Sequence, residues 1–162
     1  MLFSFHGLFD LFLDARGDVE HHIIEDIGIA IGDAINRAIG DGKGIRRYGT
    51  SYVPMDEVLA RVVVDISGRS YLAFSQTLDE REMIPKPPPL AEGSFSFQDV
   101  KGFLKALVER GRINLHIDYK FGSDTHHLLE AIFKALGIAL DQATQIDPRR
   151  KDIPSTKDTL DL

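Results

Sequence analysis

The chain contains no cysteine. That absence excludes a disulfide framework, a thiol nucleophile and a thiolate metal site, so any bound metal must take nitrogen and oxygen ligands. It also favours the cytoplasm. No apolar run reaches the roughly 18–20 residues that span a bilayer, and the opening Met-Leu-Phe-Ser-Phe-His lacks the basic flank of a signal peptide. No membrane partner is expected. Arginine and lysine form no long basic stripe, and a formal charge of −6 opposes non-specific nucleic-acid binding. The sequence also lacks a nucleotide-binding glycine loop and a Gly-x-Ser-x-Gly elbow.

What remains is an ordinary globular composition. Hydrophobic residues make up 43% and charged residues 27% of 162 residues, which suits one folded domain over 1–162. Leu8 to Arg16 reads as a strand closed by Gly17. Ile23, Ile24, Ile27, Ala30, Ile31, Ala34 and Ile35 then recur at helical spacing until Gly40-Asp41-Gly42.

The same order of events returns 105 residues later. Ile113 to Phe121 is strand-like, Gly122 turns the chain, and a helix from His126 carries Leu129, Ile132, Phe133, Leu136 and Leu140 on its apolar face. Between the two units, Glu57–Ile66 and Ser70–Ser75 read as a β-hairpin around Ser67-Gly68-Arg69. A proline-rich surface loop follows over Glu80–Gly93. A helix starting near Ser96 has Val100, Phe103, Leu104, Leu107 and Val108 as its stripe.

These elements predict an α/β (α+β) fold of two repeated half-units, each a β-sheet backed by helices. Half one spans 1–45, half two 57–145, and a polar tail runs over 146–162. The offset sets Met1 opposite Ala106, so half one is incomplete. Either the ancestral repeat was incomplete or roughly 40 residues are lost from the front, and loss is the expectation.

The repeat also carries chemistry. Four of the six histidines fall in two pairs, His21-His22 and His126-His127, followed at the same spacing by Glu25 and Glu130. Residues four apart stack on one helix face, so His21 with Glu25, and His126 with Glu130, can each chelate an ion. His22 and His127 point about 100° away, toward a different ion or surface. Two pairs therefore imply two metals, with Mn, Fe, Co, Ni and Zn all compatible with the donors. Solvated or capping residues are the commoner origin of one such motif, but they have no reason to repeat in type and spacing. Arg46-Arg47, Arg69 and the Ile-Pro-Ser-Thr-Lys stretch at 153–157 are weaker oxyanion candidates. Asp56-Glu57 reads as solvated acids that start a strand.

Gly-Asp-Val-Glu-His-His-Ile-Ile-Glu-Asp-Ile-Gly-Ile (17–29), Gly-Ile-Arg-Arg-Tyr-Gly (44–49), Val-Pro-Met-Asp-Glu (53–57), Val-Asp-Ile-Ser-Gly-Arg-Ser-Tyr (64–71), His-His-Leu-Leu-Glu-Ala-Ile-Phe-Lys-Ala (126–135) and Ile-Pro-Ser-Thr-Lys (153–157) together resemble the imidazoleglycerol-phosphate dehydratase family. The resemblance runs in order along nearly the whole chain. It implies a hydro-lyase of histidine biosynthesis, cytoplasmic, acting on a small phosphorylated imidazole. It also implies trimers assembling into a 24-mer, with active sites between subunits and two Mn2+ ions, or another divalent metal, in each.

By position, His21, His22, Glu25, His126, His127 and Glu130 look like metal ligands, with Glu25 and Glu130 also catalytic. Arg47, Arg69, Ser155, Thr156 and Lys157 look like phosphate and substrate contacts. The implied chemistry is dehydration of D-erythro-imidazoleglycerol phosphate to imidazoleacetol phosphate, through a metal-held imidazolate that helps expel water. The chain departs from the family pattern in three places: an upstream Phe-Leu-Asp-His stretch is absent, the segment before His21 is about three residues short, and Gly102 stands where many members carry a histidine. A second reading of the same residues is a metal-bridged assembly protein without turnover.

Overall fold

The computed structural model describes residues 2–76, 97–120, 124–157, 159, 160 and 162. The proline loop expected at 80–93, Ser96 and Gly122 lie outside those residues. In chain order the elements are α1 (Leu2–His6), α2 (Glu20–Ile39), β1 (Tyr48–Met55), β2 (Val58–Asp65), β3 (Tyr71–Gln76), α3 (Phe97–Gly111), β4 (Asn114–Lys120) and α4 (Thr125–Thr144). No helix among the described residues is long and apolar enough to cross a membrane.

The strands form one mixed sheet in the order β1-β2-β4-β3. Alternation places Val58, Ala60, Val62 and Val64 of β2 on its inner face, with Leu59 and Arg61 outward, as the two-residue period of a strand requires. Leu115 and Ile117 extend that face across β4, and α4 covers it with Leu128, Ile132 and Leu136, all fully buried. Each such side chain contributes roughly 1.5–3 kcal/mol of hydrophobic stabilisation.

The repeat read from the sequence is present in the helices. Both α2 and α4 have 20 residues, and their bounds differ by 105 at each end. Each crosses a neighbour through an equivalent glycine: a Cβ at Gly32 would lie 2.6 Å from the Leu107 carbonyl of α3, and one at Gly137 2.5 Å from the Phe3 carbonyl of α1. Only a residue without a side chain lets the backbones approach so closely.

Two expectations are corrected. Val58–Asp65 and Tyr71–Gln76 are not a hairpin, because β4 lies between them, antiparallel to β2 and parallel to β3. The hairpin is β1–β2 instead, turning at Asp56-Glu57 with Asp56 at φ 46°. Secondly, residues 8–16 form no strand, and Phe12 is 94% exposed. A strand is stable only when a neighbour satisfies its N–H and C=O groups, and among the described residues none pairs with this segment. Only one sheet is therefore described. Ala30 and Ala34 of α2 stand exposed, whereas their equivalents Ala135 and Ala139 of α4 are buried.

Helix α2 is held to α3 by a forked ion pair, in which Arg110 Nε and Nη2 donate to the two Asp33 oxygens at 2.8 and 2.9 Å. That hydrogen bonding holds the Asp33 carboxyl below its usual value of 3.8. A carboxyl depressed by folding adds stability above its unfolded pKa and loses it as pH falls through the folded one. The difference in urea midpoint between wild type and Asp33→Asn is therefore expected to be constant near neutrality and to fade as pH drops below 3.8.

Candidate active site

The two histidine pairs have matching geometry. Ring centroids of His21 and His22 are 6.3 Å apart and those of His126 and His127 6.2 Å, tilted at 57° and 61°. His21 Nε2 lies 3.5 Å from Glu25 Oε1, and His126 Nε2 lies 3.3 Å from Glu130 Oε2. Both i, i+4 pairs predicted from spacing are thus formed on the first turns of their helices. The helix starts differ, because Asp124 caps α4 by accepting the His126 N–H at 2.7 Å, whereas Val19 at the same place in α2 has no side-chain cap.

Around these pairs stand carboxylates that spacing alone does not mark. Asp99, in the first turn of α3, takes a hydrogen bond from His21 Nδ1 at 2.9 Å. Glu57, in the β1–β2 turn, accepts from His127 Nδ1 at 3.0 Å and from the Asp124 N–H, also at 3.0 Å. These bonds raise the pKa of both histidines. The Glu57 carboxyl is pulled down to about 2 by its own backbone N–H first, then by His127 and the Asp124 N–H. Among the described residues, Asp56, Glu57 and His127 are the one group of three whose ligand atoms all lie within 4.8 Å of one another.

The donor chemistry fits a divalent cation. A carboxylate on Nδ1 of His21 and of His127 leaves Nε2 as the nitrogen available to a cation, an arrangement that metal-ligating histidines commonly use. Glu130 is kept ionised mainly by Lys134, whose Nζ is 2.6 Å from Oε1. Gly102 faces the first pair: a Cβ there would sit 3.8 Å from both His21 Cε1 and Glu25 Cγ, an ordinary contact distance.

The oxyanion candidates converge elsewhere. Arg47, Arg69, Ser155, Thr156 and Lys157, drawn from across 110 residues of sequence, line one pocket of about 540 Å3. Arg150 lines it as well; the clue to it was the Pro-Arg-Arg-Lys run at 148–151, just before the Ser-Thr-Lys stretch. Among the described residues, no acid pairs with the side chains of Arg69, Arg150 or Lys157.

Arg47 plays a different part from a simple surface cation. Its Nε and Nη2 donate to Asp65 at 2.7 and 3.2 Å, and Nη1 donates to the Pro154 carbonyl at 2.8 Å. Its backbone sits at φ 75°, fixed by an N–H bond to Ala143 O and a carbonyl bond from the Ile66 N–H. A non-glycine residue in this region is strained, and such strain collects at functional sites. Arg47 therefore straps the polar tail to the sheet and shapes the pocket wall. The bridge between Ile45 and Ile146 and the bond from Gly44 N–H to Asp152 O complete that strap.

The pocket and the histidine pairs lie toward opposite ends of α4. Arg47 is bonded to Ala143, near the end of α4, while His127 lies at its start. At 1.5 Å per residue that separation is about 24 Å. His21 belongs to the same end as His127, because α3 carries Asp99 beside Phe97, whose ring meets Tyr119 near the end of β4.

The chain matches the family model described as imidazoleglycerol-phosphate dehydratase over residues 1–140. It is 51% identical to the imidazoleglycerol-phosphate dehydratase of Bacillus subtilis (strain 168), in an alignment covering 98% of this chain and 79% of that one. The chain belongs to the imidazoleglycerol-phosphate dehydratase family. The enzyme of Geobacter metallireducens is 48% identical over 98% of this chain and 78% of its own length. A crystal structure of the dehydratase from Staphylococcus aureus superposes with a TM-score of 0.76 at 46% identity, covering 90% of this chain and 79% of that one. The Pyrococcus furiosus enzyme gives 0.80 at 34% identity, over 98% and 82%. The mixed α/β architecture and the dehydratase assignment within histidine biosynthesis both follow from this membership.

Proposed function

We propose that this dehydratase converts D-erythro-imidazoleglycerol phosphate to imidazoleacetol phosphate in the cytoplasm, using divalent metal held by His21, His22, Glu25, His126, His127 and Glu130. The observation that carries the reading is the convergence of Arg47, Arg69, Ser155, Thr156 and Lys157 on one basic pocket, which suits a phosphate dianion. Manganese is the expected metal, two ions per site. When bound, the ions supply Lewis acidity and a template for the imidazole ring.

The chain's own groups do the rest. Arg69, Arg150 and Lys157 neutralise the phosphate, the hydroxyls of Ser155 and Thr156 donate to its oxygens, and Arg47 holds the tail that carries them. Charge-assisted bonds of this kind are worth about 1.5–3 kcal/mol each, and they fix the reacting carbons through the remote phosphate. Glu25 and Glu130 serve as proton carriers: a carboxylate oxygen takes the proton from the carbon next to the phosphate-bearing end, the C–O bond at the ring-side carbon breaks as the C=C bond forms, and the carboxyl passes that proton to the departing hydroxide, which leaves as water. The resulting enol becomes the ketone.

The substrate is far shorter than the distance between the two groups of residues. Ring to phosphate spans roughly 8 Å at standard bond lengths, against about 24 Å along α4. A working site therefore combines the histidine end of one subunit with the basic pocket of another, which supports a homo-oligomer of the trimer and 24-mer type.

Turnover of imidazoleglycerol phosphate tests this reading. Activity is expected to vanish on chelation and to return with added Mn2+; a chain that forms no imidazoleacetol phosphate at any metal concentration contradicts it.

A further inference from the structure

The Asp56-Glu57 turn is a sequence feature that the proposed mechanism leaves without a role. Two bonds of the Glu57 carboxylate cross to α4, one oxygen to the His127 ring and the other to the Asp124 backbone. Both partners belong to the start of α4, so a single carboxylate joins the β1–β2 hairpin to that helix end. The ring it touches is only 25% exposed, against 77% for its neighbour His126. His127 is thus the sheltered and oriented member of its pair.

Resting on the reading of His127 as a metal ligand, we infer that Glu57 is the positioning residue for that histidine: it holds the proton on Nδ1 and so presents the Nε2 lone pair outward. An ionised carboxylate has only acceptor sites, so the nitrogen facing it must carry the hydrogen. Asp56 and Asp124 reinforce the arrangement. Their Oδ2 atoms lie 3.6 and 3.8 Å from Nε2, beyond hydrogen-bond range but close enough to raise the negative potential where a cation would sit. The role differs from that of Asp99, which holds His21 by one bond from a neighbouring helix; Glu57 fixes both the ring and the backbone that carries it. Losing a carboxylate behind a ligating histidine weakens metal binding by about 10- to 100-fold.

The test uses 15N-histidine-labelled, metal-free protein at a pH above the ring's titration, followed by Mn2+ titration of the same samples. Wild-type His127 is expected in the Nδ1–H form. Glu57→Ala should move it toward Nε2–H and weaken Mn2+ binding by about 10- to 100-fold. An Nε2–H ring in the wild type overturns the inference without any variant, as does an unchanged tautomer in a folded Glu57→Ala protein. A wild type that shows the Nδ1–H ring but takes up no Mn2+ leaves the positioning role standing and strikes the metal reading instead, so the two failures are distinct.

Discussion

Alanine at His126 is expected to abolish dehydration while leaving phosphate binding intact, and alanine at both Arg69 and Lys157 is expected to weaken phosphate binding and, with it, turnover at subsaturating substrate. His126 is 77% exposed and pairs with Glu130 at 3.3 Å, so its removal costs little packing. What it removes is one imidazole from a site where each half contributes a single histidine–carboxylate chelate. A loss of roughly 10³-fold in kcat is the expected scale, about 4 kcal/mol of transition-state stabilisation. Arg69 and Lys157 line the basic pocket at the far end. Two lost charge-assisted bonds at about 1.5–3 kcal/mol each should lower kcat/KM by roughly 10²- to 10⁴-fold, mostly through KM. Steady-state kinetics and equilibrium binding of inorganic phosphate separate the two effects. Equal damage to phosphate binding by His126→Ala would contradict the assignment of the phosphate to the pocket of Arg69 and Lys157.

The largest effect on stability is expected from Gly49→Ala. A Cβ on Gly49 of β1 would lie 1.8 Å from the Ala139 carbonyl oxygen and 3.1 Å from the Ala143 nitrogen, both backbone atoms of α4. No rotamer relieves a clash with backbone, so the helix must lift from the sheet. That loosens the layer formed by Leu128, Ile132 and Leu136, which are fully buried. Overpacking of this severity costs about 3 kcal/mol or more. Chemical denaturation measures it directly, and a loss below about 1 kcal/mol would mean that α4 and β1 are further apart than described.

The same close approach explains why β1 escaped sequence reading. Its buried inward residues are Gly49 and Ser51, small because the α4 backbone lies directly over Gly49, and only Val53 and Met55 carry the apolar side of the alternation. Helices α2, α3 and α4 were legible because their apolar stripes follow the 3.6-residue period, and β4 because Leu115, Ile117 and Tyr119 alternate. The misplaced hairpin has a different cause. Ser67-Gly68-Arg69 does reverse the chain, but pairing is decided by β4, more than 40 residues later, which no local turn signal encodes. Residues 8–16 have a strand's composition, and composition does not supply a neighbouring edge.

The candidate site divides in the same way. His21, Glu25, His126 and Glu130 could be read because their spacing repeats within the chain. Asp99 and Glu57 reach the histidines from 78 and 70 residues away, so their part emerges only in three dimensions. In the sequence Asp99 is a single acid three residues after Ser96, and Glu57 is one of two adjacent acids read as a strand start; neither position announces a partner.

Coexpression of two disabled chains probes the shared-site architecture most directly. His126→Ala and the Arg69→Ala/Lys157→Ala double variant, produced together, form junctions in which one subunit supplies an intact histidine end and its neighbour an intact basic pocket. Random pairing predicts recovery to about a quarter of wild-type turnover. A mixed assembly as inactive as either parent, with both chains present and the wild type active, would contradict a site built from two subunits.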